Sequence, residues 1–157
     1  VDTGKDEKEA GVLVSINTSQ VKGEIKRPVD EAELKEDHGI AGDVHAGSAV
    51  KQVSLLDDSE IRAMEDRTGV ELNPGDFAEN LTSSGLDMES FSVGDRVRVG
   101  EEVLLEVSQI GKSCHEDCVV KEKTGECIMP EKGLFFRVLE GGNLTPGDTL
   151  EPVNEAD

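Results

Sequence analysis

The chain has 157 residues, with 35 Asp plus Glu against 16 Lys plus Arg and a formal net charge of −19. That length fits one domain. The acidic balance argues against phosphate-mediated binding of DNA or RNA and against docking on anionic membranes.

Hydrophobic residues make up 35% of the chain, with no Trp and no Tyr, so the core must be mainly Val, Leu and Ile. The 3 cysteines, an odd number, suit a reducing compartment better than a disulfide framework. No stretch approaches the roughly 20 apolar residues of a membrane span, and no signal peptide is visible. The expected compartment is therefore the cytoplasm.

Residues 1–10 read as a flexible acidic segment. A single domain is expected over 11–152, with a short tail at 153–157. Gly11-Val12-Leu13-Val14-Ser15-Ile16-Asn17 has the β-branched content of a first strand. Residues 24–27 suggest a second, short one. Residues 28–38 are polar and read as weakly helical. Gly39-Ile40-Ala41-Gly42-Asp43-Val44-His45-Ala46-Gly47 is too rich in glycine for regular structure and reads as a loop. Gln52-Val53-Ser54-Leu55-Leu56 reads as a buried strand. Asp57 followed by Glu60 has the capping-box spacing, and Ile61 with Met64 gives the helix an apolar face. Gly69 stands where a helix ends. After the turn Asn73-Pro74-Gly75-Asp76, residues 77–81 read as a short strand. Arg96-Val97-Arg98-Val99 and residues 103–110 form a hairpin around Gly100-Glu101. Residues 134–139 and the segment after Pro146-Gly147-Asp148 supply further strands. Gly75, Gly94 and Gly147 each precede Asp in a turn that feeds a strand. The fold class expected is mainly β, a small closed or partly open barrel with a few peripheral helices.

Three segments carry chemistry. Cys114 lies in Gln109-Ile110-Gly111-Lys112-Ser113-Cys114-His115. Positive charge beside a thiol favours the thiolate, which attacks sulfur and binds metal. Cys118 and Cys127 are either inert or resolving thiols. With Cys114 and His115 they do not match the common close-spaced zinc pairs. The glycine-rich loop is not a P-loop. It is either a plain turn or a backbone nest around an anionic ligand that Asp43 and His45 would touch. Glu79 and Asn80 either sit on a surface edge or offer a carboxylate and an amide to a heterocycle.

These segments, with Val93-Gly94-Asp95, Val138-Leu139-Glu140-Gly141-Gly142 and Pro146-Gly147-Asp148, occur in an order that resembles the MOSC (molybdenum cofactor sulfurase C-terminal) domain family. The likeness runs from about residue 12 to 150 and is to the short, stand-alone bacterial type. The resemblance implies a mostly β barrel associated with the molybdenum cofactor, a pterin dithiolene (molybdopterin) bearing phosphate and metal. It also implies that Cys114 carries sulfur as a persulfide or ligates molybdenum. By the same likeness, Asp43, His45, Glu79 and Asn80 would line the cofactor pocket.

One departure is visible. Relatives often carry an aromatic residue, a His and an Arg before the Val-Ser-Leu-Leu strand, where this chain has Ala49-Val50-Lys51. Lys51 alone keeps the charge, and a lysine lacks the bidentate grip of arginine on phosphate. Lys112, Arg62 and Arg137 are alternative anchors. The partners implied are a molybdoenzyme or a separate cysteine desulfurase, which alone would hold pyridoxal phosphate. Three functions follow: sulfur carriage with cofactor binding, molybdenum-dependent reduction of N-hydroxylated compounds, and non-catalytic delivery of the cofactor.

Overall fold

Short runs of Val, Leu and Ile between glycine turns fold as strands because alternate side chains can be buried on one face. The computed structural model describes residues 10–21, 25–49, 51–111 and 133–153. In chain order the strands are β1 (Gly11–Thr18), β2 (Arg27–Val29), β3 (Ala32–Lys35), β4 (Gly39–Ile40), β5 (Val53–Asp57) and β6 (Leu81–Ser84). They continue as β7 (Arg96–Val99), β8 (Val103–Ile110), β9 (Leu134–Glu140), β10 (Gly142–Leu144) and β11 (Thr149–Val153). One α-helix, α1 (Asp58–Thr68), links β5 to β6.

The main sheet runs β11-β7-β8-β9-β5-β6-β1-β2, and β11 also pairs with β1. Seven strands therefore close into a barrel, with β2 attached outside the ring. Closure is made by Gly11 opposite Leu150 and Val12 opposite Thr149. Each pairing in the ring is antiparallel except β5 with β6. That parallel pair needs a crossover, which α1 provides. A small second sheet, β10-β3-β4, lies beside the barrel.

The barrel is filled by Leu13, Ile16, Val53, Leu55, Leu81, Val97, Val103, Leu105, Phe136, Val138 and Leu150, each buried. All five residues of β5 are buried, as expected for a strand covered on its outer side by a helix. Ile61 and Met64 are the buried residues of α1.

The Asp57 side chain caps the helix by accepting from Ser59 N–H, and Gly69 ends it in the left-handed conformation. Asp57 also accepts from Ser83 Oγ at 2.6 Å and from Leu86 N–H at 3.0 Å. The cap therefore ties α1 to the end of β6.

Two expectations are corrected. Residues 28–38 hold β3 and part of β2 instead of a weak helix. Ala32 and Leu34 turn inward while Glu33 and Lys35 turn out, a period of two. Residues 77–80 form a turn and a loop, and the strand begins at Leu81. Of the short strand expected at 24–27, Arg27 alone among the described residues lies in a strand, as the first residue of β2. Among the described residues no helix is long and apolar enough to cross a membrane.

Candidate functional site

The end of β1, the start of β2, the glycine-rich loop and the starts of β5 and β6 meet at one end of the barrel. The loop is held there by a buried ion pair. Lys26 Nζ donates to Asp43 Oδ1 at 2.9 Å, and neither side chain is exposed. Lys26 also donates to Ser19 Oγ at 3.1 Å. Asp43 accepts from Ser19 N–H at 3.0 Å and from His45 N–H at 3.0 Å. Burial works against the Asp43 carboxylate. The neighbouring His45 side chain, the Lys26 bond and charge and the Ser19 amide outweigh it, and hold the carboxyl below the usual range.

His45 lies over this pair. Its Nδ1 is 3.2 Å from Lys26 Nζ and 3.7 Å from Asp43 Oδ2, and its side chain is 28% exposed. The nest reading of the loop is not met. The amides of Ala41, Asp43, Val44, Ala46, Gly47 and Ser48 all donate to backbone carbonyls, and that of His45 donates to Asp43. The loop therefore offers the His45 side chain to a ligand far more than it offers backbone. No atom of a described residue lies within 4 Å of where a Cβ would stand on Gly42 or Gly47.

Glu79 and Asn80 are 0% and 1% exposed. Glu79 accepts from Gly75 N–H at 2.9 Å, Phe77 N–H at 3.2 Å and Thr82 Oγ1 at 2.6 Å. Burial nevertheless pushes its carboxyl up to about 7, against the lowering effect of the Gly75, Thr82 and Phe77 bonds. Asn80 Oδ1 accepts from Ser54 N–H at 3.0 Å, and its Nδ2 donates to Asn17 O at 3.1 Å. Asn17 Nδ2 in turn donates to Glu79 O and Thr82 Oγ1. These side chains join β1, β5 and β6 where the strands begin or end. Among the described residues no buried side-chain N or O lacks a partner.

The turn before Glu79 packs against the segment leading into β2, which carries Lys26. Lys26 N–H donates to Gly75 O at 2.8 Å. A Cβ on Gly75 would stand 2.2 Å from Lys26 O, and Gly75 has φ +91°. Only glycine fits there.

Lys51 is half-buried just before β5, its N–H donating to Ser48 Oγ at 3.0 Å. Of the alternative anchors, Arg62 on α1 is bound to Asp58, Glu65 and Leu72 O. Arg137 faces Glu106 at 3.9 Å. Neither belongs to the loop cluster. Lys112, Cys114, His115, Cys118 and Cys127 lie outside the described residues. The segment that carries them joins β8 to β9, and Gly111 N–H donates to Gly133 O at its base. By register Leu134 lies opposite Leu55 in β5, and Lys51 stands just before that strand. Among the described residues no group of three or more His, Cys, Asp or Glu can hold a metal.

Sequence reasoning missed Lys26. Nothing marks a lysine as buried when its partner stands 17 residues away. Its neighbour Ile25, packed against the core, is the one hint that this stretch turns inward.

A model of the MOSC domain matches residues 42–151. YflK of Bacillus subtilis (strain 168), an uncharacterized protein, is 30% identical over 147 residues, which is 86% of this chain and 65% of YflK. A protein named Reductase from Gibberella moniliformis (strain M3125 / FGSC 7600) is 28% identical over 166 residues, which is 89% of this chain and 29% of that protein. The chain thus spans less than two thirds of either relative. The crystal structure of the YUAD protein from Bacillus subtilis superposes with a TM-score of 0.77 at 16% identity, covering 93% of this chain and 97% of that one.

Proposed function

This chain belongs to the MOSC domain family, and from that premise we propose that it binds the molybdenum cofactor with Cys114 as the reactive thiol. The observation that carries the reading is the loop beside β5, where a buried Lys26–Asp43 pair supports a partly exposed His45. This is the same segment that the family likeness assigns to the cofactor. His45 and Lys51 are the groups suited to the organic, phosphate-bearing part, since both are partly exposed and carry donors. Lys112 precedes Cys114 by two positions and adds charge near the thiol. Asp43, Glu79 and Asn80 hold the surrounding backbone in place through their internal bonds.

The described residues fit the organic part of the group and not the metal, because they contain no metal-holding cluster. The metal would rest on Cys114. When bound, the cofactor supplies two-electron redox chemistry at its metal. The chain's own part is to present the thiolate, orient the pterin through His45 and Lys51, and shield the site.

In the sulfur-carrier form of this reading, the Cys114 thiolate attacks the outer sulfur of a persulfide on a separate desulfurase. The S–S bond there breaks, the desulfurase thiolate leaves, and Cys114 keeps the sulfur. A second reading, molybdenum-dependent reduction of N-hydroxylated compounds, is favoured by the relative that is itself named Reductase. It requires an external electron donor.

The test is metal, pterin and sulfane-sulfur content of protein made in a cofactor-replete host, beside Cys114→Ser. Near-stoichiometric molybdenum with pterin, lost in Cys114→Ser, supports the ligand role. Metal-free protein with an adduct of about 32 Da on Cys114 supports sulfur carriage. Wild-type protein with neither refutes both.

A further inference from the structure

Resting on the reading of this loop as cofactor-facing, we infer that Lys26 is a positioning residue. It holds His45 as the neutral tautomer with Nδ1 unprotonated and Nε2–H pointing away from the buried pair, so the loop recognises a hydrogen-bond-accepting oxygen on its ligand.

A lysine ammonium has donors and no acceptor. At 3.2 Å from His45 Nδ1, the contact is attractive only if Nδ1 carries a lone pair. A proton on Nδ1 would face the ammonium head-on. The competing partner for an Nδ1–H is Asp43 Oδ2, but at 3.7 Å it lies beyond hydrogen-bond range. That carboxylate is already engaged by Ser19 N–H, His45 N–H and Lys26.

The backbone that carries the ring is fixed from two further sides. The main-chain N–H of His45 is bound to Asp43, and the following turn closes with Ala46 N–H on Asp43 O and Ser48 N–H on His45 O. The proton of the neutral ring is thus placed on Nε2, across the ring from the ammonium. Nε2 makes no hydrogen bond to a described residue. The ring is 28% exposed while its two supporting side chains have no exposure. One polar edge is therefore buried and committed, and the other is free to donate. A donor at that place selects oxygens: a phosphate oxygen or a pterin carbonyl.

The readout is the ¹⁵N signature of the His45 ring in long-range ¹H–¹⁵N correlation spectra of the cofactor-free protein near neutral pH. In the wild type, Nδ1 should show the unprotonated signature and Nε2 the protonated one. A protonated Nδ1 there overturns the inference outright. In Lys26→Met the ammonium is gone and Asp43 becomes the nearest charged partner, so Nδ1 should gain the proton. Removing one member of a buried pair can unfold the protein. Lys26→Met combined with Asp43→Asn removes both charges together, and should give a mixed signature at Nδ1. A wild-type signature in whichever variant folds means Lys26 does not set the tautomer.

Titration with inorganic phosphate or unsubstituted pterin should move the Nε2 signal before that of Nδ1. The probe that moves it names the source of the oxygen, and no movement with either overturns the recognition half. Failure of the cofactor reading is separable: undiminished molybdopterin in His45→Ala removes that reading while the tautomer measurement stands.

Discussion

Removing the Asp43 carboxylate should destabilise the barrel more than any surface change. Lys26 and Asp43 have no side-chain exposure, and the carboxylate accepts from Lys26 Nζ, Ser19 N–H and His45 N–H at 2.9–3.0 Å. Asp43→Ala leaves a buried ammonium and two amides without that acceptor. Breaking a buried pair from one side costs about 3–5 kcal/mol. For a domain of this size 1 kcal/mol moves Tm by about 2–4 °C, so the expected fall is about 6–20 °C. The assay is urea unfolding of wild type, Asp43→Ala, Lys26→Met and Lys26→Met/Asp43→Asn, followed by two probes to check two-state behaviour. The double variant should lose at least about 1 kcal/mol less than the sum of the single losses, because neither charge is left alone. A loss under about 1 kcal/mol in Asp43→Ala would refute the claim that this pair anchors the loop.

Three other outcomes are expected. Glu79 has a folded pKa raised to about 7, so its contribution is fully present below the ordinary carboxylate pKa and is lost as pH rises through 7. That loss is about 3 kcal/mol from the shift. Comparing Glu79→Gln with wild type by urea midpoint from pH 5 to 8 separates it from the general effect of the −19 charge, and parallel pH curves would refute it. Gly75→Ala should cost more than about 2 kcal/mol, read by thermal melting, because its Cβ meets Lys26 O in a left-handed backbone. Asp57→Ala removes the helix cap and the bonds to Ser83 and Leu86, and should cost about 2–4 kcal/mol in the same assay.

What was legible in the sequence depended on local signals. The β7–β8 hairpin and α1 were readable because alternation and capping are written within a few residues. β3 was not, because Ala-Glu-Leu-Lys uses good helix formers and only tertiary pairing with β10 and β4 makes it a strand. Asp43 and His45 stood out through their glycine-rich surroundings. Lys26 did not, since its burial depends on a partner brought from another element. Glu79 and Asn80 were noticed as polar residues after a turn, but sequence cannot tell a polar side chain offered to a ligand from one consumed between three strands. Here the side-chain atoms of both bond internally.

The contact between Gly11 and Leu150 also bears on how the chain is made. The ring has no closing strand until β11 has left the ribosome, so β1, and later β7, wait with an unpaired edge until then. Such edges invite pairing between nascent chains. Folding dominated by so distant a pairing is slow. Yield of this protein should therefore respond to growth temperature and chaperone supply before it responds to core substitutions. Because the two ends of the ring lie side by side, the whole barrel can also be spliced into a surface loop of a host protein without stretching either connection.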